Sequence, residues 1–150
     1  MIERYSRKEL KVIWEDYNKY SIWLDIELAA AEAMEKLKII PRGVVKKVKS
    51  KGKINVKRIL EIEDKVKHDV IAFLTSITEK AGNEARYLHK GMTSSDVLDT
   101  CFNLQLKQSG EILLKDIDQL LKSIKKQSIK QQLMLSALVQ ITSSQRKKIG

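Results

Sequence analysis

The sequence predicts an all-α protein, with an N-terminal helical domain leading into one long helix. Three observations predict it. Only one proline and six glycines occur in 150 residues, too few breaks for the frequent turns of a β-sandwich. Lys, Glu, Leu and Ala, which favour helices, are abundant. Apolar residues recur at spacings of three and four rather than two. With 43% hydrophobic content, the chain is long enough to bury one real core.

Ser6-Arg7-Lys8-Glu9 has the form of a capping box, a hydroxyl and a carboxylate placed to satisfy the free N–H groups of a helix start. Leu10, Ile13, Trp14, Tyr17, Ile22, Trp23, Ile26 and Ala30 then carry an apolar pattern to about Leu37, with an irregularity expected over residues 18–21. Pro41 is placed to open a short second helix. Gly52 breaks a basic stretch, and Asn55 can cap a helix bearing Val56, Ile59, Leu60 and Val66. The pattern resumes through Val70, Phe73, Leu74 and Ile77 until Gly82, so that His68 and Asp69 fall within or between two helices. Gly91-Met92-Thr93-Ser94-Ser95-Asp96 reads as a loop feeding a further helix. Val97, Cys101, Leu104, Leu113, Ile117, Leu120, Leu121 and Ile124 give that helix about 30 residues, a length that needs partner helices. Residues 133–141 are apolar enough to extend it, whereas residues 142–148 read as a polar, basic tail without predicted order. The expected organisation is a helical domain over residues 1–94, a long helix over 95–130 and a divergent basic tail over 131–150.

The net charge is +10, but it is unevenly placed. Residues 119–150 hold seven Lys or Arg and no acid, leaving 22 bases against 19 acids, or +3, in residues 1–118. A nearly balanced body does not require nucleic acid as a partner. The competing class is a helical binding or assembly protein that uses its basic C-terminal segment. Cys101 alone cannot form an internal disulfide, and with only His68 and His89 no zinc-site spacing occurs. No metal is expected. The start lacks the apolar core of a secretory signal, and no apolar run reaches membrane-spanning length. A reducing, cytoplasmic setting without membrane attachment is the expectation.

The loop before the long helix is the best anion site in the chain, because free N–H groups and the helix dipole favour carboxylate or phosphate there. Thr93 and Ser94 would add hydroxyl donors, and the plain alternative is an ordinary N-cap. His68, between Lys67 and Asp69, can exchange protons near neutral pH or donate to an anion. Its plain alternative is a surface pair with Asp64, four residues earlier. His89 has a weaker case. Arg4 and Tyr5 could grip a phosphate and stack, or simply form a loose terminus. No nucleotide loop, nucleophile elbow or kinase signature occurs.

Taken in order, Met1-Ile2-Glu3-Arg4-Tyr5-Ser6, Arg58-Ile59-Leu60-Glu61-Ile62-Glu63, Lys67-His68-Asp69-Val70-Ile71-Ala72-Phe73, the run from His89 to Thr100 and Leu113-Leu114-Lys115-Asp116 resemble the start of the bacterial-type adenylosuccinate lyases. That family lies in the aspartase and fumarase superfamily, and the likeness runs from Met1 to about Lys130. The resemblance implies β-elimination of fumarate from adenylosuccinate and from the related succinylated ribotide of purine biosynthesis, with no metal or organic cofactor. It implies that Arg4 and Tyr5 contact the nucleotide and Thr93 and Ser94 the succinyl carboxylate. His68 and Asp69 would contact the substrate, with His68 assisting proton transfer as a catalytic residue. Lys67 stands where the family has arginine, which keeps the charge but loses the bidentate fork. The resemblance further implies a homotetramer built around a central helical bundle, with active sites assembled from more than one subunit.

The family's histidine-bearing Gly-Arg-Ser/Thr-His-Gly-x-His-Ala-Glu-Pro segment has no counterpart here, since residues 135–150 contain no histidine. Its later serine loop is absent as well. An inactive chain is therefore expected, and the loss of likeness and of acids near Lys130 predicts a frame change or premature stop there.

Overall fold

The computed structural model describes residues 3–146. Among them the regular elements are six α-helices and two short 3-10 segments. The helices are α1 (Lys8–Ile13), α2 (Asp16–Lys36), α3 (Val44–Lys51), α4 (Val56–Val66), α5 (Asp69–Ala81) and α6 (Ser94–Arg146). The 3-10 segments are Glu3–Tyr5 and Gly82–Tyr87. The all-α expectation holds. The chain forms two compact units, Met1–Ser109 and Gly110–Gly150.

Several local expectations are corrected. The first helical residue is Lys8, so the N-cap falls on Arg7 rather than Ser6; its side chain makes no cap hydrogen bond and pairs with Glu9 (3.3 Å). The break in the first helical stretch lies at Trp14–Glu15, not over residues 18–21. Its physical reason is visible at the Ile13 carbonyl, which the break frees. That oxygen accepts from Asn18 Nδ2 (2.8 Å) and from Gln105 Nε2 (2.7 Å), so the chain can leave the helix without orphaning it. Pro41 does not open α3. It precedes a turn, and Gly43, at φ 94°, is the N-cap, a left-handed conformation that glycine adopts without a Cβ penalty. Asn55 caps α4 as expected, accepting from Arg58 N–H (3.1 Å).

In the first unit α2 supplies the centre of the core. Tyr20, Trp23 and Phe73 of α5 are fully buried together. Phe73 lies parallel to Tyr20 at 5.9 Å and edge-on to Trp23 at 5.5 Å, arrangements that satisfy the ring quadrupoles. Val97, Cys101, Gln105 and Ser109, spaced by four along α6, form its buried stripe. The last two are polar because they serve the α1–α2 break: Gln105 holds the Ile13 carbonyl and Ser109 Oγ accepts from Trp14 Nε1 (3.1 Å).

The helix α6 has 53 residues, well beyond the length expected, and it continues through the segment read as an unordered tail. No proline or glycine occurs between Gly110 and Gly150, while Gln, Lys, Leu and Met propagate a helix well. Residues 147–150 of that tail lie outside the described residues. In the second unit, Leu113, Leu114, Ile117, Leu120, Leu121 and Ile124 are 51 to 64% exposed. Their spacing places them on one face, a contiguous apolar stripe of the kind that marks an interaction surface. No helix among the described residues is long and apolar enough to cross a membrane.

Candidate functional site

The residues singled out from sequence fall at helix termini, and local backbone chemistry explains each placement. The α4–α5 corner is built by Lys67 and His68. Lys67 adopts a left-handed conformation (φ 54°) as the C-cap of α4, its N–H donating to the Glu63 carbonyl (2.7 Å). His68 then takes an extended conformation as the N-cap of α5. Its Nδ1 accepts from Ile71 N–H at 3.4 Å, a long bond that leaves the ring exposed. Nδ1 also stands 3.5 Å from Asp69 Oδ1, which accepts from Val70 N–H (2.7 Å). The surface pair between Asp64 and His68 does not form. Because α4 ends at Val66, the two residues are not on one helical face, and Asp64 pairs with Lys67 Nζ at 2.6 Å instead.

At the start of α6, Thr93 N–H donates to Asp96 Oδ2 (2.7 Å) and Asp96 N–H donates back to the Thr93 carbonyl (3.1 Å). This is the carboxylate half of a capping box, with an acid three residues into the helix reaching back to the cap. It leaves the hydroxyls of Thr93 and Ser94 at a helix N-terminus whose dipole favours an anion. Arg4 stacks its guanidinium over the Tyr5 ring at 4.8 Å within the first 3-10 segment, where Tyr5 is exposed.

These three groups make their own local bonds, and no hydrogen bond or ion pair joins one group to another among the described residues. An open groove of about 430 Å³ lies between α5 and the second 3-10 segment. Its lining includes Ile71, whose N–H meets His68, then Leu74, Thr75 and Thr78 of α5, and Leu88, the residue before His89. Apolar Ile71, Leu74, Ala85 and Leu88 share the lining with Thr75, Thr78, Glu79 and Arg86, the mix of apolar and polar surface common to ligand pockets.

The arrangement contains one buried acid–histidine pair that the sequence pattern does not single out. Glu27 is 1% exposed in the middle of α2, and both its oxygens are directed at His89. Oε2 accepts the His89 backbone N–H (2.6 Å) and Oε1 lies 2.6 Å from His89 Nδ1. His89 itself has φ 59° and its carbonyl accepts from Met92 N–H (3.3 Å), so the carboxylate anchors the turn that delivers Thr93 to α6. A signal was present. Glu27 falls on the same helical stripe as Tyr20, Trp23 and Ala31, all buried, and an acid inside an apolar stripe needs a partner. No cluster of three or more His, Cys, Asp or Glu suited to a metal occurs among the described residues.

The family model described as lyase matches residues 4–136. Among curated relatives, the chain is 47% identical over 128 residues to the adenylosuccinate lyase of Synechocystis sp. (85% of this chain, 30% of the relative). It is 43% identical over 128 residues to that of Bacillus subtilis and 45% identical over 129 residues to that of Aquifex aeolicus, again across 30% of each relative. The chain thus spans about a third of the length of the curated relatives it matches. Among solved structures, the fumarate lyase from Mesorhizobium sp. BNC1 superposes with a TM-score of 0.62 at 22% identity, covering 68% of this chain and 25% of that one. That likeness carries the fold alone.

Proposed function

The chain belongs to the lyase family, and on that premise we propose that it is the N-terminal portion of an adenylosuccinate lyase, acting on a small nucleotide substrate. The observation that carries the reading is 43–47% identity to three adenylosuccinate lyases across at least 84% of this chain. The reaction is a β-elimination releasing fumarate, from adenylosuccinate to give AMP and from the succinylated aminoimidazole carboxamide ribotide of the same pathway. A base removes a proton from the succinyl carbon next to the one bearing nitrogen, and that electron pair forms the double bond. The carbon–nitrogen bond breaks, and an acid protonates the departing nitrogen. Charge gathers on the succinyl carboxylate in the transition state, so fixed donors around it lower the barrier.

In this reading Thr93 and Ser94 supply such donors at the start of α6. His68, held at the α5 N-cap with Asp69 beside it, meets the substrate and assists proton transfer, and Lys67 adds positive charge. Arg4 and Tyr5 hold the nucleotide. No step calls for a metal or an organic cofactor. The exposed apolar face of Leu113, Ile117, Leu120 and Ile124 suits packing in a homotetramer, with residues 1–94 as the site-bearing domain, 95–130 as the first bundle helix and 131–150 as a divergent tail. The chain by itself is inactive, because its only histidines are His68 and His89 and the remaining acid and base must come from sequence it does not contain.

The test is a chimera in which this chain's matched segment replaces the aligned 128 residues of the Bacillus subtilis relative. The chimera is expected to release fumarate from adenylosuccinate, whereas the 150-residue chain alone is not. Removing both hydroxyls, Thr93→Ala with Ser94→Ala, should lower kcat by about 100-fold or more, the scale of losing oxyanion donors. A folded, tetrameric chimera without turnover would sink the proposal.

A further inference from the structure

We propose that Glu27 is a positioning residue that fixes His89 in the tautomer protonated at Nδ1, so that His89 and His68 differ in hydrogen-bonding character. The inference deepens the lyase reading by adding residues to the same site, and it rests on that reading only for what the loop is used for.

The argument starts from which atoms can only donate. The His89 backbone N–H is a donor without alternative, so Glu27 Oε2, 2.6 Å away, is an acceptor there. The Glu27 side chain has no exposed surface, and a buried carboxylate is stable only when each oxygen is met by a donor. For Oε1 the partner is His89 Nδ1, also at 2.6 Å, the short distance of a charge-assisted bond. With Glu27 ionised, Nδ1 carries the hydrogen, which in the neutral ring leaves the lone pair on Nε2. The imidazole keeps 20% of its side-chain surface exposed. Nε2 is not among the buried atoms that lack a partner and makes no hydrogen bond within the described residues, so solvent or a ligand reaches it.

His68 is built the other way round. Its Nδ1 accepts from a backbone N–H, that of Ile71 (3.4 Å), while the nearby Asp69 Oδ1 (3.5 Å) is already engaged by Val70 N–H (2.7 Å), an N-cap arrangement that places the lone pair on Nδ1 and the hydrogen on Nε2 in the neutral ring. His68 therefore offers an N–H to an anionic oxygen without first gaining a proton. His89 offers a lone pair, and becomes a donor only after taking a proton at Nε2, with the buried Glu27 carboxylate facing the resulting imidazolium.

The experiment uses the whole 150-residue chain labelled with nitrogen-15, in which only two histidines occur. Long-range proton–nitrogen correlation, in solution or under magic-angle spinning, distinguishes a protonated ring nitrogen from one bearing a lone pair. His68→Gln assigns the signals. At a pH where the rings are neutral, His89 is expected to show protonated Nδ1 and His68 protonated Nε2. In Glu27→Gln the backbone N–H claims the amide oxygen and the amide NH2 faces Nδ1, so the His89 pattern should exchange while that of His68 stays put. Glu27→Asp, which keeps the carboxylate, should preserve the original pattern. Protonated Nε2 on His89 in the parent chain, or an unchanged pattern in Glu27→Gln, would overturn the proposal. If Glu27→Gln fails to fold, the parent signature and Glu27→Asp still decide it. An inactive chimera leaves these signatures untouched, so failure of the lyase reading and failure of this one are separable.

Discussion

The Ile13 carbonyl offers a direct measure of how the first unit tolerates a broken helix. Two side-chain amides share it, Asn18 Nδ2 at 2.8 Å and Gln105 Nε2 at 2.7 Å, and a carbonyl with two lone pairs can lose one partner without being orphaned. Asn18→Ala or Gln105→Leu alone should therefore cost about 1 kcal/mol, the net worth of one hydrogen bond. The double variant leaves a largely buried acceptor with neither amide, adding a desolvation penalty of about 1–3 kcal/mol to the sum of the singles. The two substitutions should thus be coupled by at least about 1 kcal/mol. Urea unfolding followed by tryptophan fluorescence reads this well, since Trp14 donates to Ser109 beside the break and Trp23 lies in the core. Asn18 also reaches Gln108 (3.3 Å), so Gln108→Ala serves as the control that removes that bond without touching the carbonyl. Additivity of the two single costs within about 0.5 kcal/mol would refute the idea that the pair exists to satisfy this oxygen.

Three further outcomes follow from the geometry. The Glu79 and Glu84 carboxyls are held below the ordinary glutamate range by hydrogen bonds from Arg58 and Lys47. A folded value below the unfolded one gives stability that is complete above the unfolded value and lost as pH falls through the folded one. Thermal stability should accordingly drop below about pH 4.5, the ordinary value, and less steeply in Arg58→Gln with Lys47→Gln; identical pH profiles would contradict it. Burial pushes the Cys101 thiol up, and its sulfur sits 3.7 Å from the Lys19 carbonyl, so iodoacetamide should label the folded chain at least about 100-fold more slowly than the urea-unfolded one. Lys67 pays for a left-handed φ of 54°; Lys67→Gly should be neutral to about 1 kcal/mol stabilising in denaturant titrations, whereas Lys67→Arg should leave stability unchanged.

What could be read from the sequence divides along local and non-local lines. The all-α class, the Asn55 cap and the Thr93–Asp96 helix start depend on neighbours within a few residues, and each was legible from spacing and residue type. The pattern at Ser6 differs from the structure by a single residue, because Arg7 and not Ser6 directly precedes the first helical residue. The break at Trp14–Glu15 is not legible locally because one of the groups that stabilise it, Gln105, is 92 positions away from Ile13. The partner of Glu27 is illegible locally for the same reason, His89 lying 62 positions on. The length of α6 follows from the absence of helix breakers through residues 142–146, which outweighs their polarity.

The proposed site residues Lys67, His68 and Thr93 sit at helix ends, where the bonds that orient them are local to the first unit. Lys67 is fixed by the Glu63 carbonyl, His68 by Ile71 N–H, Thr93 by Asp96 and His89 by Glu27, all within residues 1–109. None of these bonds draws on the apolar stripe of Leu113 to Ile124, which remains exposed in the second unit. Helix caps and one buried carboxylate are enough to orient the donors of the first unit, and orientation is a large part of what a donor contributes to lowering a barrier. On the proposed lyase reading, partner helices packed against the stripe would bring further groups and exclude water around donors already oriented within the first unit. It follows that substitutions in the stripe, such as Ile117→Glu, should abolish assembly and turnover of the chimera while leaving the tautomer pattern of His68 and His89 in this chain unchanged.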